Sequence, residues 1–139
     1  MSETILVPID GSTEAENALR FALEQYPDAT VTVLHVVQTG YDAEMGIAEY
    51  LATEREEYET RADDLLDRAR QIGDRYGRSV RTEKRAGRPW SVIVATADEG
   101  SYDHVILGST GRHGASRLLL GSVAERVIRR SPVPVTVVR

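Results

Sequence analysis

Cysteine is missing from all 139 residues, which removes both a disulfide framework and any thiolate metal site. Also missing is a basic-then-apolar leader, since Met1–Thr4 runs straight into a short apolar segment. No stretch approaches the roughly 20 apolar residues of a membrane-spanning helix. The expectation is a cytoplasmic protein that does not use a membrane. Lysine is nearly absent: Lys84 is the only one, and the other basic residues are arginines. With 22 acidic against 17 basic residues the formal net charge is -5. That sign opposes binding of polyanions through the bulk field, so nucleic acid is not an expected partner, although a local group of arginines can still hold one phosphate chain. The length suits one domain over residues 1–139, burying about two-thirds of the surface its unfolded chain exposes.

What is present is a repeating alternation of strand and helix signals. Ile5-Leu6-Val7-Pro8-Ile9 and Val31–Val37 are nearly continuous apolar runs, the pattern of strands buried on both faces. Between them Ala15, Ala18, Leu19, Ala22 and Leu23 form one helical stripe. Ser12 or Thr13 supplies its N-cap, with Glu16 completing a capping box if the cap is Thr13. Gly40 to Thr53 is acidic and weakly patterned, and is expected to be a long loop or lid. Tyr58, Ala62, Leu65, Ala69, Ile72 and Tyr76 then mark a long second helix ended by Gly77, with its arginines on a solvated face. Ser79–Glu83 predicts a short, polar edge strand. Pro89–Glu99 predicts a third helix with proline in its first turn. Val105-Ile106-Leu107 predicts a fourth strand, Val123–Arg130 a fourth helix, and Val133–Val138 a last strand. The resulting β-α-β-α-β-α-β-α-β order predicts an α/β fold with a doubly wound, five-stranded, mostly parallel sheet ordered 3-2-1-4-5 and helices on both faces.

Chemistry concentrates where the fourth strand gives way to the fourth helix. Gly108-Ser109-Thr110-Gly111 is followed by nine residues and then Gly121-Ser122. Glycines at a sheet's carboxyl edge permit positive φ and close backbone approach to a ligand, and the helix start offers unpaired N–H groups with a partial positive charge. These are the requirements for holding phosphate. Ser122 adds a hydroxyl for a phosphate oxygen or a bound Mg²⁺, and Arg112, His113 and Arg117 place further donors in the loop. The competing reading is structural: Gly114 and the other glycines shape a turn, and Ser122 with Glu125 forms a capping box. Asp10, just after the first strand, is equally open to a turn or N-cap role before Gly11. His35 is expected to pack near its strand end and His104 to be exposed. Trp90 either covers the cleft or packs, with packing the more frequent role.

Several segments together resemble the universal stress protein family across the whole chain: Ile5-Leu6-Val7-Pro8-Ile9-Asp10-Gly11-Ser12, Leu34-His35-Val36, Val105 through Gly111, Leu119-Leu120-Gly121-Ser122-Val123-Ala124, and Pro132-Val133-Pro134-Val135. The family's nucleotide-binding branch carries G-x2-G-x9-G-(S/T), met here at Gly108, Gly111, Gly121 and Ser122. The resemblance implies a Rossmann-like, adenine nucleotide alpha hydrolase-like fold and binding of ATP with Mg²⁺. It implies a site of Pro8, Ile9, Asp10, Val36, Gly108, Ser109, Gly111, Arg112, His113, Gly114, Gly121, Ser122 and Val123. Within it Asp10 faces the ribose, the Val36 backbone meets the adenine edge, and Ser122 serves as the metal contact.

Related architectures lack their required residues here. A receiver domain needs an aspartate after strand three and a lysine after strand five, and a P-loop needs G-x4-G-K-(S/T) after strand one, where Asp10-Gly11-Ser12 stands instead. No general base for hydrolysis is identifiable, so slow or absent ATPase activity is expected. Residues 133–139, at a sheet edge, predict a C2 homodimer through paired last strands. Two functions stay open: a nucleotide-dependent stress-response sensor or switch, and a dimeric stress-protective adaptor that binds no nucleotide.

Overall fold

The computed structural model describes residues 3–38, 55–109 and 120–139. Strand β1 (Thr4–Ile9), helix α1 (Thr13–Gln25), β2 (Thr30–Val37), α2 (Arg55–Arg75), β3 (Arg81–Ala86), α3 (Pro89–Glu99), β4 (His104–Gly108), α4 (Ser122–Arg130) and β5 (Val135–Val138) follow one another along the chain. The five strands form one sheet in the order β3-β2-β1-β4-β5, with every pairing parallel. Among the described residues no helix is long and apolar enough to cross a membrane. The expected lid, Gly40 to Thr53, lies outside them.

The continuous apolar runs are explained by burial on two sides. In β1, Ile5, Val7 and Ile9 join a core with Leu19, Leu23, Leu66 and Ile72 under α1 and α2. Leu6, between them, joins a second core with Leu34, Ile93, Val105, Leu107 and Val127 under α3 and α4. Successive strand residues face opposite ways, so a strand sandwiched between helix layers has no polar position to spare. Each fully buried aliphatic side chain contributes about 1.5–3 kcal/mol relative to exposure.

Local differences from the sequence reading have physical causes. Ser12, not Thr13, caps α1 by accepting the Ala15 N–H at 3.1 Å, so the capping box with Glu16 does not form. Glu16 instead pairs with Arg20 and Arg68. Strand β3 begins and ends later than Ser79–Glu83, at Arg81–Ala86, because its register against β2 runs from Thr32–Arg81 to Val37–Ala86. Likewise β5 is confined to Val135–Val138, since Pro134 has no N–H to offer a ladder. His104 is buried rather than exposed: its Nε2 meets Thr136 Oγ1 at 2.7 Å, and Tyr26 packs edge-on to the ring at 5.6 Å. His35 packs at its strand end as expected, its Nδ1–H donating to the Ile9 carbonyl at 2.8 Å. Trp90 packs in the second core, with the guanidinium groups of Arg130 and Arg126 at 4.8 and 5.8 Å from its ring.

Polar ties fasten helix ends to the sheet. Arg78, in the turn after α2, donates to the carbonyls of Leu23, Tyr26 and Ala29, satisfying acceptors near the end of α1 that no helical N–H reaches. Lys84 of β3 binds Glu59 and Asp63 of α2, and hydrogen bonds to these carboxylates hold its ammonium group above the usual lysine range.

Gly108 sits at the tightest of these junctions. A Cβ built on it would lie 2.7 Å from the Glu14 carbonyl carbon and 2.8 Å from the Ala15 nitrogen, both backbone atoms in the first turn of α1. Backbone cannot swing aside as a side-chain tip does. Gly108→Ala is therefore expected to lower stability by about 2 kcal/mol, with or without any ligand. Urea denaturation measures this, and unchanged stability would mean that α1 shifts without cost.

Candidate functional site

An open cleft of about 440 Å³ lies at the carboxyl ends of β1, β2 and β4, where strand order reverses direction from the central strand. Connections leaving β1 and β4 go to opposite faces of the sheet, α1 to one and α4 to the other, which leaves a crevice between them. Pro8, inside β1, has no N–H to continue a ladder at this level.

The floor and one wall are apolar: Leu34, Val36, Ile93 and Leu107 all line the cleft. The His35–Ile9 hydrogen bond fixes the ends of β2 and β1 against each other beneath it. At one end stands Asp10, whose Oδ1 accepts the Ser12 N–H at 2.9 Å. That bond realises the turn role open to it in the sequence. It leaves the second carboxylate oxygen, Oδ2, without a partner among the described residues, in a residue that lines the cleft.

At the other end is the start of α4. Gly121 is the N-cap residue, with no side-chain capping bond, and Ser122 is the first helical residue. The capping box of Ser122 and Glu125, the competing structural reading, does not form, because a first-turn serine lies inside the helix rather than at its cap, and Glu125 binds Arg129 at 2.9 Å instead. The helix start therefore presents N–H groups to the cleft with no side chain among the described residues capping them. It is held in place by backbone: Gly121 N–H donates to the Ser109 carbonyl at 2.7 Å, and Ser109 N–H donates to Val138 at 2.8 Å.

Of the residues expected at a site, Pro8, Ile9, Asp10, Val36, Gly108, Gly121, Ser122 and Val123 line this one cleft. Ser109 does not; it is buried, and its backbone joins β5 to the start of α4. Gly111, Arg112, His113 and Gly114 lie outside the described residues. The role given to glycine also changes. Neither Gly108 nor Gly121 has positive φ, and Gly108 is required by the approach of α1 rather than by loop curvature.

Sequence reasoning missed Tyr58 and Arg61, which reach the cleft from α2. Tyr58 read as part of a helical stripe and Arg61 as part of a solvated face. Only the placement of α2 beside the ends of β1 and β2 distinguishes them from their neighbours. Among the described residues lining the cleft, Asp10 and Arg61 carry its formal charges.

This combination of apolar wall, carboxylate and uncovered helix start suits a ligand with an aromatic base, hydroxyls and phosphate. Comparison with known proteins agrees on the lineage. The model of the universal stress protein family matches residues 1–139. A universal stress protein of Methanocaldococcus jannaschii is 34% identical over 144 residues, covering 97% of this chain and 81% of the relative. The universal stress protein UspA of Lactobacillus plantarum superimposes with a TM-score of 0.85 at 26% identity, over 99% of this chain and 97% of that one. An Arabidopsis thaliana family protein solved with AMP bound shares the fold, with a TM-score of 0.72 at 18% identity over 98% of this chain and 90% of that one. The chain belongs to the universal stress protein family.

Proposed function

We propose that the cleft binds an adenine nucleotide, ATP with Mg²⁺, and that the protein is a cytoplasmic, nucleotide-dependent sensor or switch of a stress response with slow or no hydrolysis. The observation that carries this reading is the start of α4. Among the described residues its N–H groups lack a side-chain cap, and they open onto a cleft whose wall is apolar and whose far end bears Asp10. Phosphate oxygens satisfy such donors and gain from the helix dipole. The adenine ring packs against the apolar wall with its edge at the backbone of Val36, and the free oxygen of Asp10 accepts from a ribose hydroxyl. Ser122, first in the helix, offers its hydroxyl to a phosphate or to Mg²⁺, whose remaining ligands come from phosphate oxygens and water. Gly111, Arg112, His113 and Gly114 complete the loop in this proposal. The Arabidopsis family member supports the reading at the level of the fold, as a case in which this architecture holds AMP.

Hydrolysis asks for more. A water must be activated in line with the γ-phosphate and the developing charge stabilised. The described carboxylate of the cleft, Asp10, is engaged with Ser12 N–H and belongs to the ribose end. Single-turnover assays are expected to show ADP forming slowly compared with nucleotide exchange.

Purified protein, once denatured, is expected to release an adenine nucleotide, and emptied protein to bind Mg-ATP in a calorimeter. Gly121→Val, which puts a branched side chain where the phosphates lie, is expected to weaken that binding by at least about tenfold while leaving the melting temperature close to wild type. No released nucleotide, no calorimetric signal and an indifferent Gly121→Val would together favour an adaptor that binds no nucleotide.

The edge position of β5 supports the proposed C2 homodimer through residues 133–139. Its four strand residues are only half-buried, and among the described residues one side of its backbone has no neighbouring strand, the arrangement that edge pairing relieves. Sedimentation is expected to give a dimer at micromolar concentration. A wild-type monomer well above micromolar would remove the dimer from the proposal.

A further inference from the structure

Arg61 is the arginine of α2 that lines the cleft. Arg68 is held by Glu16 through two hydrogen bonds of 3.2 Å, and Arg70 by Asp67 and Thr82. Arg61 makes no hydrogen bond or ion pair among the described residues, although it lines the same cleft as Asp10. Its Nη2 lies 3.0 Å from where a Cβ on Gly11 would be, which places the guanidinium over the residue that follows Asp10. Gly11 has φ +89°, so the backbone here turns sharply without a side chain to keep Arg61 away. A planar guanidinium resting beside bare backbone, lining a cleft and with no bonded partner among the described residues, is arranged to receive an anion.

We propose that Arg61 binds the phosphate attached directly to the ribose of the nucleotide, from the side of the cleft opposite α4. The inference rests on the reading that the cleft holds an adenine nucleotide with its ribose at Asp10. Position then selects the phosphate. Consecutive Cα atoms are about 3.8 Å apart, so a cation over Gly11 is one residue from the ribose carboxylate and within side-chain reach of the ribose 5′ position. The more distant phosphates run toward Ser122. Charge points the same way. A monophosphate carries its negative charge at that position alone, and among the described lining residues Arg61 supplies the full positive charge to meet it, the arginines of the proposed loop serving the phosphates nearer Ser122. Arg61 thus makes affinity depend on the first phosphate, whatever the number that follow it.

The test compares adenosine, AMP and Mg-ATP by calorimetry on emptied protein, with wild type, Arg61→Gln and Arg61→Lys. Arg61→Gln is expected to weaken AMP and Mg-ATP by a similar factor of about tenfold, and to leave adenosine and the melting temperature unchanged. Arg61→Lys recovers part of the loss, since it keeps the charge but not the planar pair of donors. Inorganic phosphate alone is expected to bind equally poorly to all three proteins. Equal losses for adenosine would overturn the proposal by showing a contact to base or sugar, and a loss confined to Mg-ATP would overturn it by moving Arg61 to a later phosphate. An unaffected Arg61→Gln overturns it while leaving the nucleotide reading intact if wild type still binds AMP and Gly121→Val does not. A wild type that binds none of the nucleotides overturns both.

Discussion

The contact between Gly108 and the first turn of α1 is the constraint from which the cleft takes its shape. Backbone atoms of Glu14 and Ala15 come so close to the end of β4 that no side chain fits between them. That approach sets where α1 begins, and the caps follow from it. Ser12 must lie just outside the helix to accept the Ala15 N–H, and Asp10 must turn back to accept the Ser12 N–H. A single close packing of strand end on helix start therefore brings the tail of β1 beside the tail of β4. The opposite wall is fastened independently, through Val138 to Ser109 and Ser109 to Gly121. The crevice is bounded on both sides by backbone hydrogen bonds and packing, and among the described residues the remaining oxygen of Asp10 and the first N–H groups of α4 have no side-chain partner.

Legibility in the sequence follows how each feature is determined. Strands β1 and β2 could be read directly because burial on both faces favours nearly continuous apolar residues, a pattern written in Ile5–Ile9 and in Val31–Val37, where Thr32 and His35 are the buried polar exceptions. The parallel 3-2-1-4-5 order follows from alternating strands and helices with right-handed crossovers. Strand β3 was displaced by two residues at its start because Arg81–Ala86 is polar and half-exposed. Its limits are set by hydrogen bonding to β2 and not by its own side chains. Partner choice among charged groups was equally hidden. Glu16 and Glu125 both stand where a capping box is plausible, yet each is taken by an arginine one helical turn away, a competition that spacing alone cannot decide. His104 reads as a polar residue at a strand edge, and only the opposition of β4 to β5 reveals Thr136 as its partner.

The candidate site shows the same division. Residues contributed by strand ends and by the glycine pattern could be named in advance, because topology fixes where β1, β2 and β4 finish. Arg61 could not. Its neighbours on α2 have the same composition and spacing, and what separates it from Arg68 is whether Glu16 lies within reach. Gly108 was found by sequence partly for a positive φ that it does not have. It is a glycine because α1 lies against it, so its presence in a family pattern speaks for the architecture of the crevice before it speaks for any ligand.

That distinction bears on what the proposed nucleotide does. N–H groups at a helix start are fixed donors, and they serve a resting phosphate as well as one undergoing transfer. Uniform binding of that kind lowers the energy of the bound state without lowering the barrier beyond it. Turnover would require a group that strengthens its hold as charge shifts, together with a base for water. Asp10 is poorly placed for the second role, since one oxygen is committed to Ser12 and the other belongs, on the proposed reading, to the ribose. On the proposed reading, a site so built acts by occupancy. Nucleotide influences a partner only through a difference in affinity between two states of the protein. The segments best connected to carry that difference are those tied to the cleft by short backbone bonds: the start of α4 and, through Ser109, the edge strand β5. Occupancy at Gly121 and pairing at Val138 are separated by two hydrogen bonds, so a ligand that repositions α4 acts directly on the strand proposed to join two copies of the chain.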